Sequence, residues 1–328
     1  MKKNTNASLR KSLRKKLSNS RIYWKLAKAA IDHKRPVLAQ LVVTRRCNLS
    51  CGYCYEYDKT SKPVPVDVLK ARIDHFKRLK VVFVTLNGGE PLLHPQIVEL
   101  VAYVKKRGMI PMVNSNARVL TKEIIEQLNA AGLYGIQISC DSLEDNAVTQ
   151  KNMRRLKPKL EVLKQHGKFI VRVNGVLGSG PPQEMLEVAK TVTSFGFDFQ
   201  CSLMRDDKGR VVPFDDETRK VYLQIRAMRD RLPSMLNDRF QLPLINGKDY
   251  HWKCRSGARH FEVDGQGLVH LCQPRTGQPA KSIESYTRTD IEYHFQLEKP
   301  CASKCPVAYA HLGSRMDYFR KQKTSLHV

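Results

Sequence analysis

Strand-like and helix-like segments alternate along the middle of the chain, and this alternation constrains the fold more than any other feature. Six apolar runs begin at positions 37, 81, 110, 134, 168 and 197, and each is separated from the next by a stretch with helical periodicity. Strands that alternate with helices are typical of a parallel sheet, because each helix returns the chain to the start of the next strand. The sequence therefore predicts an α/β fold.

Polar and apolar side chains also alternate within these strands. Parallel strands that are covered on both faces are usually apolar throughout. Here one face is apolar, as at Val84 and Leu86, while the other face is polar. The polar positions are Thr85, Asn87, Asn114, Asn116, Gln137, Ser139, Asp141, Arg172, Asn174, Gln200 and Ser202. We predict a partial, TIM-like (β/α)6 barrel whose inner face holds a polar ligand at the strand carboxyl ends, with hydrated strand ends as the alternative.

Three cysteines follow the first strand directly. Cys47, Cys51 and Cys54 lie in "CNLSCGYC", with gaps of three and two residues between them. A [4Fe–4S] cluster normally has four cysteine ligands, so three would leave one iron open, and catalytic metal sites usually keep an open position. The turn after a strand is also where α/β folds place their chemistry. The pattern favours an open catalytic cluster, with half of a zinc site or chance neighbours as alternatives.

The motifs of this region resemble those of a known family. "CNLSCGYC" is similar to the CxxxCxxC signature of the radical S-adenosylmethionine (SAM) enzymes, including the aromatic Tyr53 before the third cysteine. "NGGEP" at 87–91, "NSNA" at 114–117 and "QISCDS" at 137–142 resemble the family's motifs after the second, third and fourth strands. By this resemblance, which runs from residue 36 to about 205, the chain is identified as a member of the superfamily.

The resemblance implies a reaction. An open iron would chelate SAM, and one electron would cleave it to methionine and a 5′-deoxyadenosyl radical that abstracts hydrogen from a substrate. Cys47, Cys51 and Cys54 would be the cluster ligands and the catalytic residues. A flavodoxin- or ferredoxin-type electron donor would be a partner. The substrate classes implied are a peptide, a sugar-like alcohol and a lipid-linked molecule.

The resemblance also implies a set of SAM-binding residues. Gly88, Gly89 and Glu90 would take the SAM ammonium group, since glycines admit close backbone approach and a carboxylate suits a cation. Tyr53 would lie beside the adenine. The other candidates are Ser139 and Arg172 for the SAM carboxylate, and Asn114, Asn116, Asp141 and Asn174 for ribose hydroxyls or the substrate. The structural alternatives are that Asp141 caps a turn and that Asn114 and Asn116 hold their own loop.

A second group of cysteines follows the barrel segment. Cys254, Cys272, Cys301 and Cys305 surround a predicted hairpin in which "HFEV" and "LVHLC" flank "DGQG". Four thiolates suffice to complete a metal site, so a four-cysteine zinc site is one interpretation. The spacing, with Gly267, resembles the twitch subdomain, a reduced SPASM extension, and this resemblance implies one auxiliary [4Fe–4S] cluster. The last pair is CxxxC, whereas the family often has CxxC.

Positive charge is concentrated at the start of the chain. The net charge is +26, and residues 1–36 contain twelve Lys or Arg and one Asp. Leu9, Leu13 and Leu17 recur at every fourth position, which predicts a basic amphipathic helix. Three interpretations of this helix stay open: docking on an anionic membrane surface, docking on nucleic acid, and a solvated tail. The predicted domains are this tail (1–36), the barrel (37–210), a connecting helical segment (211–250) and the auxiliary iron–sulfur subdomain (251–328).

Neither a membrane span nor a secretory signal is predicted. No run of 18 apolar residues occurs, and the basic start lacks an apolar region. We therefore expect a cytoplasmic protein with reduced thiols, attached peripherally to a membrane if its N-terminus docks there. Two other functions stay open. One is RNA modification, suggested by the basic composition, although no RNA-binding module is recognised and nucleic acid is not the expected partner. The other is a non-catalytic, membrane-associated metal-cluster protein.

Overall fold

A nine-stranded sheet forms the centre of the computed structural model, which describes residues 20–54, 57–206, 209–228 and 232–320. Six parallel strands lie side by side in chain order. They are β1 (Leu38–Thr44), β2 (Phe83–Gly88), β3 (Ile110–Ser115), β4 (Gly135–Ser139), β5 (Ile170–Leu177) and β6 (Asp198–Leu203). The predicted α/β fold and partial TIM-like barrel are confirmed. The predicted helix at Leu9, Leu13 and Leu17 lies outside the described residues.

Helices connect the strands as the sequence periodicity predicts. Helix α1 spans 20–31 and precedes β1. The connecting helices are α2 (Val66–Arg78), α3 (Ile97–Lys106), α4 (Lys122–Ala131), α5 (Met153–His166) and α6 (Pro182–Ser194). Helix α4 shows how local sequence sets these bounds. The Thr121 hydroxyl accepts from the amide of Ile124, and Gly132 ends the helix in the left-handed conformation.

The two faces of the barrel sheet differ as the alternation predicts. Leu86 and Ile138 are fully buried on the apolar face, which the helices cover. On the polar face, the strand register places Ser139 beside Asn174 and Asn174 beside Gln200. Ser139 keeps partial exposure there. A polar, partly accessible inner surface therefore lines the arc of parallel strands.

The C-terminal hairpin joins this same sheet. β7 (His260–Val263) pairs in parallel with β1, so that Leu38 lies opposite His260. β8 (Leu268–His270) and β9 (Pro279–Ser282) follow as antiparallel strands. The "DGQG" hairpin is confirmed, but it extends the barrel sheet beyond β1 rather than forming a sheet of its own. Helices α7 (Asp216–Ala227), α8 (Leu232–Ile245), α9 (Arg288–Gln296) and α10 (Ala308–Ser314) complete this part of the fold.

Arg72 of α2 holds the turn of the hairpin in place. Its Nη1 donates to the carbonyl oxygens of Asp264 and Gly265, both at 3.2 Å. Gly267 has a φ of +93°, and a Cβ there would lie 2.7 Å from Arg72 Nη2. Glycine is therefore required at 267 for two reasons: the positive φ, and the guanidinium that packs against the turn. None of the helices in the described part of the chain is long and apolar enough to cross a bilayer.

Candidate active site

The loop that carries Cys47, Cys51 and Cys54 follows β1 at the carboxyl edge of the sheet. Backbone bonds close it: the Cys47 amide donates to the Asp58 carbonyl at 3.0 Å, and the Asp58 amide donates to the Arg45 carbonyl at 2.9 Å. The Lys59 ammonium also donates to the carbonyls of Cys47 and Leu49, at 3.1 and 2.6 Å. The three predicted cluster ligands thus lie on one internally braced loop. Lys59 has no motif signal in the sequence.

The glycine turn after β2 lies directly against the entrance to this loop. The Gly89 amide donates to the Thr44 carbonyl, and the Glu90 amide donates to the Arg46 carbonyl, both at 2.9 Å. A Cβ on Gly88 would lie 2.1 Å from the Thr44 oxygen, and one on Gly89 would lie 2.3 Å from the Arg45 oxygen. No side chain fits at either position, so both glycines are required by close backbone approach.

Glu90 links two of the predicted motifs from a fully buried position. Its carboxylate accepts from the Ser115 hydroxyl at 2.7 Å, the Asn116 amide at 2.6 Å and the Leu92 amide at 3.0 Å. Burial raises the pKa of Glu90, and the three donors oppose that effect. Its carboxylate is occupied by protein donors, so a contact with the SAM ammonium group stays a prediction.

Asn116 brings the turn after β3 to the cysteine loop. Its Nδ2 donates to Asn48 Oδ1 at 2.8 Å and lies 3.7 Å from the Cys47 sulfur. Its Oδ1 accepts from the Arg118 amide at 2.9 Å, so Asn116 also shapes its own turn. Asn114 lies half-buried on the polar face of β3, in register with Gln137.

Tyr53 and Asp141 form the centre of a polar network beside the loop. The Tyr53 hydroxyl donates to Asp141 Oδ2 at 2.5 Å and accepts from the Lys151 ammonium at 2.9 Å. The Thr149 hydroxyl donates to the same carboxylate oxygen at 2.8 Å, and the Val176 amide donates to Oδ1 at 3.0 Å. One buried carboxylate therefore joins the cysteine loop to the ends of β4 and β5.

Burial and neighbouring charges both shift the pKa values of the residues in this network. Burial raises the pKa of Tyr53, and Asp141 adds to that rise. Burial alone would lower the pKa of Lys151, but nearby Tyr53 and Asp141 raise it overall, so Lys151 stays cationic. The Thr149 hydroxyl lies 3.8 Å from the Cys51 sulfur, which extends the network to a predicted ligand. Sequence reasoning missed Thr149 and Lys151, because loop residues of these common types carry no periodicity.

Two further predicted residues lie near the strand ends, and one does not. Ser139 ends β4 opposite Asn174 of β5, and Asn174 Oδ1 accepts from the Ser202 hydroxyl at 2.8 Å. Arg172 lies in the amino-terminal half of β5, where its Nε donates to Asp198 Oδ2 at 3.0 Å. The structure therefore does not bring Arg172 to the cysteine loop, and its placement gives no support to a carboxylate-binding role.

Cys47 also borders a cavity of about 500 Å³, which is within the size range of small-molecule sites. Its walls are formed by Arg46, Cys47, Asn48, Lys59, Pro63 and Leu93. Two of these residues are cationic. The charge of this cavity therefore suits an anionic group beside Cys47.

The second group of cysteines is assembled from three separate segments. The Tyr250 amide donates to the Ser303 carbonyl at 2.8 Å, and Trp252 Nε1 donates to the Ala302 carbonyl at 2.6 Å. These bonds fasten the chain before Cys254 to the turn that contains Cys301 and Cys305. Cys272 follows β8 directly.

The four thiols share one electrostatic neighbourhood. Burial raises the pKa of Cys272, and the three other cysteines raise it further. Burial also raises the pKa of Cys254, and that of Cys305 to about 12. Two cations lie among them: Arg275 donates to Cys301, and Lys299, whose pKa burial lowers to about 8, donates to the carbonyls of His294 and Leu297. The structure thus brings the four predicted ligands together.

The donor chemistry around Cys47 fits iron–sulfur ligation. Asn116 Nδ2 and the Leu49 amide both approach the Cys47 sulfur. Burial raises the pKa of the Cys47 thiol, and the Leu49 amide opposes that rise, as an N–H donor to a thiolate does. Across the described ranges, no three His, Cys, Asp or Glu side chains are arranged to hold a single metal ion. A [4Fe–4S] cube gives each cysteine its own iron, so its ligands need not converge on one point as zinc ligands do.

Comparison with known proteins identifies the barrel segment. The model of the Radical SAM superfamily matches residues 41–199. The PqqA peptide cyclase of Bradyrhizobium diazoefficiens is 33% identical over 136 residues, covering 39% of this chain and 35% of that protein. The AdoMet-dependent heme synthase of Methanosarcina barkeri is 34% identical over 122 residues, covering 36% of this chain and 34% of that protein. The chain thus spans about a third of the length of these curated relatives.

Solved structures extend the likeness across most of the chain. Streptococcus suis SuiB bound to precursor peptide SuiA has a TM-score of 0.60 at 16% identity, covering 94% of this chain and 79% of that one. Native anSMEcpe with bound AdoMet and Cp18Cys peptide has a TM-score of 0.55 at 15% identity, covering 81% and 85%. At these identities the likeness shows the fold alone. The family match and the motifs on the strand-end turns therefore assign residues 41–199 of the chain to the radical SAM superfamily.

Proposed function

We propose that the protein is a radical SAM enzyme that binds SAM at a [4Fe–4S] cluster on Cys47, Cys51 and Cys54. The main support is that three predicted motifs meet at the cysteine loop. The turns after β2, β3 and β4 each bond to the cysteine loop, at the carboxyl edge of a parallel sheet. When bound, the cluster would supply the electron that cleaves SAM and so generates a hydrogen-abstracting radical.

The chain's own residues position the reactants. Lys59, the glycine turn and Asn116 hold the loop in one conformation, so the three thiols are presented together. The polar inner face at Ser139 and Asn174 offers hydrogen-bonding groups to SAM or to the substrate. Exposed Arg45, Arg46 and Lys59 surround the loop with positive charge. That charge suits an acidic reductant of flavodoxin or ferredoxin type.

An auxiliary [4Fe–4S] cluster on Cys254, Cys272, Cys301 and Cys305 is part of this proposal. Its support is the proximity of four thiols, together with the cations Lys299 and Arg275, which offset thiolate charge. Residues 251–328 would then be an auxiliary iron–sulfur subdomain whose hairpin is built onto the barrel sheet. Among the implied substrate classes, a peptide has the support of the match to a peptide cyclase.

SAM cleavage by the purified protein tests the proposal. The full chain is reconstituted without oxygen, reduced with dithionite and given SAM, and 5′-deoxyadenosine is measured by chromatography. We expect its formation by the native chain and none by C47A/C51A/C54A. Intact clusters with no 5′-deoxyadenosine from the native chain would instead indicate a non-catalytic cluster protein.

A further inference from the structure

Helix α1 is apolar on two sides. Ile22 and Ala29 are buried in a small core with Val82 and Ile110. On the opposite side Trp24 is 60% exposed and Ile31 is 77% exposed, with exposed Ala27 between them. The spacing of three and four residues places these side chains on one outward stripe. A surface helix ordinarily turns a polar face outward, so an apolar outer face indicates a surface that another body covers.

A second segment of the chain widens this surface. Met316 packs against the small core beneath α1, and Tyr318 and Phe319, which follow it, are 70% and 75% exposed. The Arg320 guanidinium lies 5.3 Å from the Phe319 ring and donates to the carbonyls of Ala30 and Ile31, at 2.7 and 3.2 Å. These aromatics therefore lie beside the end of the helix. We call Tyr23, Trp24, Ile31, Tyr318 and Phe319 the α1 face.

The α1 face is fixed rigidly to the barrel. Arg259 is fully buried and ion-paired with fully buried Asp317, and its Nη1 donates to the carbonyls of Ala29 and Arg35, both at 2.8 Å. The Lys25 ammonium donates to the Gly108 carbonyl at 2.6 Å. Charged groups thus bind the end of α1 and its side to the fold. The helix presents its outer stripe in one orientation.

The positive charge around the α1 face indicates what kind of surface binds to it. Exposed Arg21 and Lys28 lie on α1, no acidic residue occurs between 20 and 31, and the Lys28 ammonium lies 4.4 Å from the Trp24 ring centroid. A second copy docked face to face would bring like charges together. Residues 1–19 contain seven Lys or Arg and no Asp or Glu, so they repel the helix in the same way. A surface of phosphate groups is complementary to all of these cations.

We infer that the α1 face docks the protein peripherally on an anionic lipid bilayer. Tyr and Trp rings suit the headgroup level, Ile31 and Phe319 enter the acyl boundary, and the cations meet lipid phosphates. This goes beyond the proposed SAM chemistry and does not depend on it. The protein would thereby be held at a membrane surface.

The fold also fixes which end of the barrel meets the bilayer. Val82, which α1 covers, immediately precedes β2, and Ile110 begins β3, so α1 lies at the amino ends of these strands. The cysteine loop follows the carboxyl end of β1, a strand of 7 residues. A strand of that length spans roughly 20 Å. Docking through the α1 face therefore leaves the Cys47–Cys54 loop directed away from the lipid.

Vesicle co-sedimentation tests the inference with the full chain. We expect binding to vesicles that contain phosphatidylglycerol and about tenfold weaker binding to pure phosphatidylcholine. W24S/I31S keeps every charge but removes the apolar stripe, and it should bind anionic vesicles about tenfold more weakly. The matched control is L223S, which removes a 48% exposed leucine from α7 and should bind like the native chain. Equal far-ultraviolet circular dichroism of the variants excludes misfolding.

Tryptophan fluorescence gives a second readout. The chain has two tryptophans, and Trp252 is stacked on His311 with ring centroids 3.7 Å apart. Brominated lipids should therefore quench the native chain but not W24F, although W24F still binds. Native chain that stays in the supernatant, or W24S/I31S that sediments like the native chain, would overturn the inference. So would light scattering that shows a dimer which W24S/I31S abolishes, because the face would then be a self-interface.

Discussion

The two groups of cysteines are built in opposite ways. Cys47, Cys51 and Cys54 lie on one loop, and backbone bonds at the loop's own ends close it. Cys254, Cys272 and Cys301 come from three segments that meet only when the hairpin has joined β1 and the 301–305 turn has docked. The first group is therefore a local feature of sequence, whereas the second is a product of tertiary structure. A metal bound by the second group would therefore also stabilise the fold, because it would link three separate segments.

Removing the first group should have the largest functional effect. Anaerobically reconstituted native protein should hold about eight irons per chain, and C47A/C51A/C54A about four, with no SAM cleavage. Because these residues lie on a loop at the edge of a complete sheet, we expect the melting temperature to change little. Iron analysis and calorimetry check both statements. A collapse in stability would show that this loop, too, holds the fold together.

Removing part of the second group should instead act on stability. C301A/C305A should also leave about four irons, but its anaerobic melting temperature should fall by about 10 °C, since a structural metal site contributes folding free energy. The first-group variant is the matched control, as it loses the same amount of iron. Equal melting temperatures of the two variants would contradict the prediction that only the second group stabilises the fold. Zinc at the second group, with no iron, would identify a four-cysteine zinc site.

The glycine turn offers a finer test of the local site. A Cβ at Gly89 would lie 2.3 Å from the Arg45 oxygen, and the backbone must shift to admit it. We expect G89A to lower the free energy of unfolding by about 2 kcal/mol and to lower iron occupancy at the first group. G52A is the control, because its Cβ would meet nothing closer than 3.6 Å. Urea denaturation of the two variants measures the difference, and equal midpoints would contradict it.

The corresponding test of the distributed site is at the hairpin turn. G267A would place a Cβ 2.7 Å from Arg72 Nη2 at a φ of +93°. We expect it to destabilise the protein by about 1–2 kcal/mol. It should also loosen the second cysteine group while the first keeps its iron. G265A, in the same turn with its nearest contact at 3.7 Å, should be close to neutral.

Local features of this molecule can be predicted from its sequence, whereas contacts between distant residues cannot. Strands, helices and the two-faced sheet are visible because periodicity is local, and the cysteine loop and glycine turn are visible because each is a short motif. The pairing of Leu38 with His260 joins residues far apart in the chain, and no local pattern marks it. The ion pair of Arg172 with Asp198 is hidden from the sequence for the same reason, since Asp198 lies on the next strand. Lys59 and Lys151 act only through what the fold places beside them.

Lys151 provides the smallest and most specific test of the local site. Its ammonium donates to the Tyr53 hydroxyl, and the Cys51 thiol is among the groups that raise its pKa, so it places a positive charge near a cluster ligand. A nearby cation favours the more negative, reduced state of a cluster. K151M should therefore lower the midpoint potential of the first cluster, on the order of tens of millivolts, while iron content stays at the native value. K157M, on the exposed face of α5, removes the same charge far from the network and should leave the potential unchanged. Redox titration followed by electron paramagnetic resonance separates the outcomes, and equal shifts in both variants would mean that only net charge is being sensed.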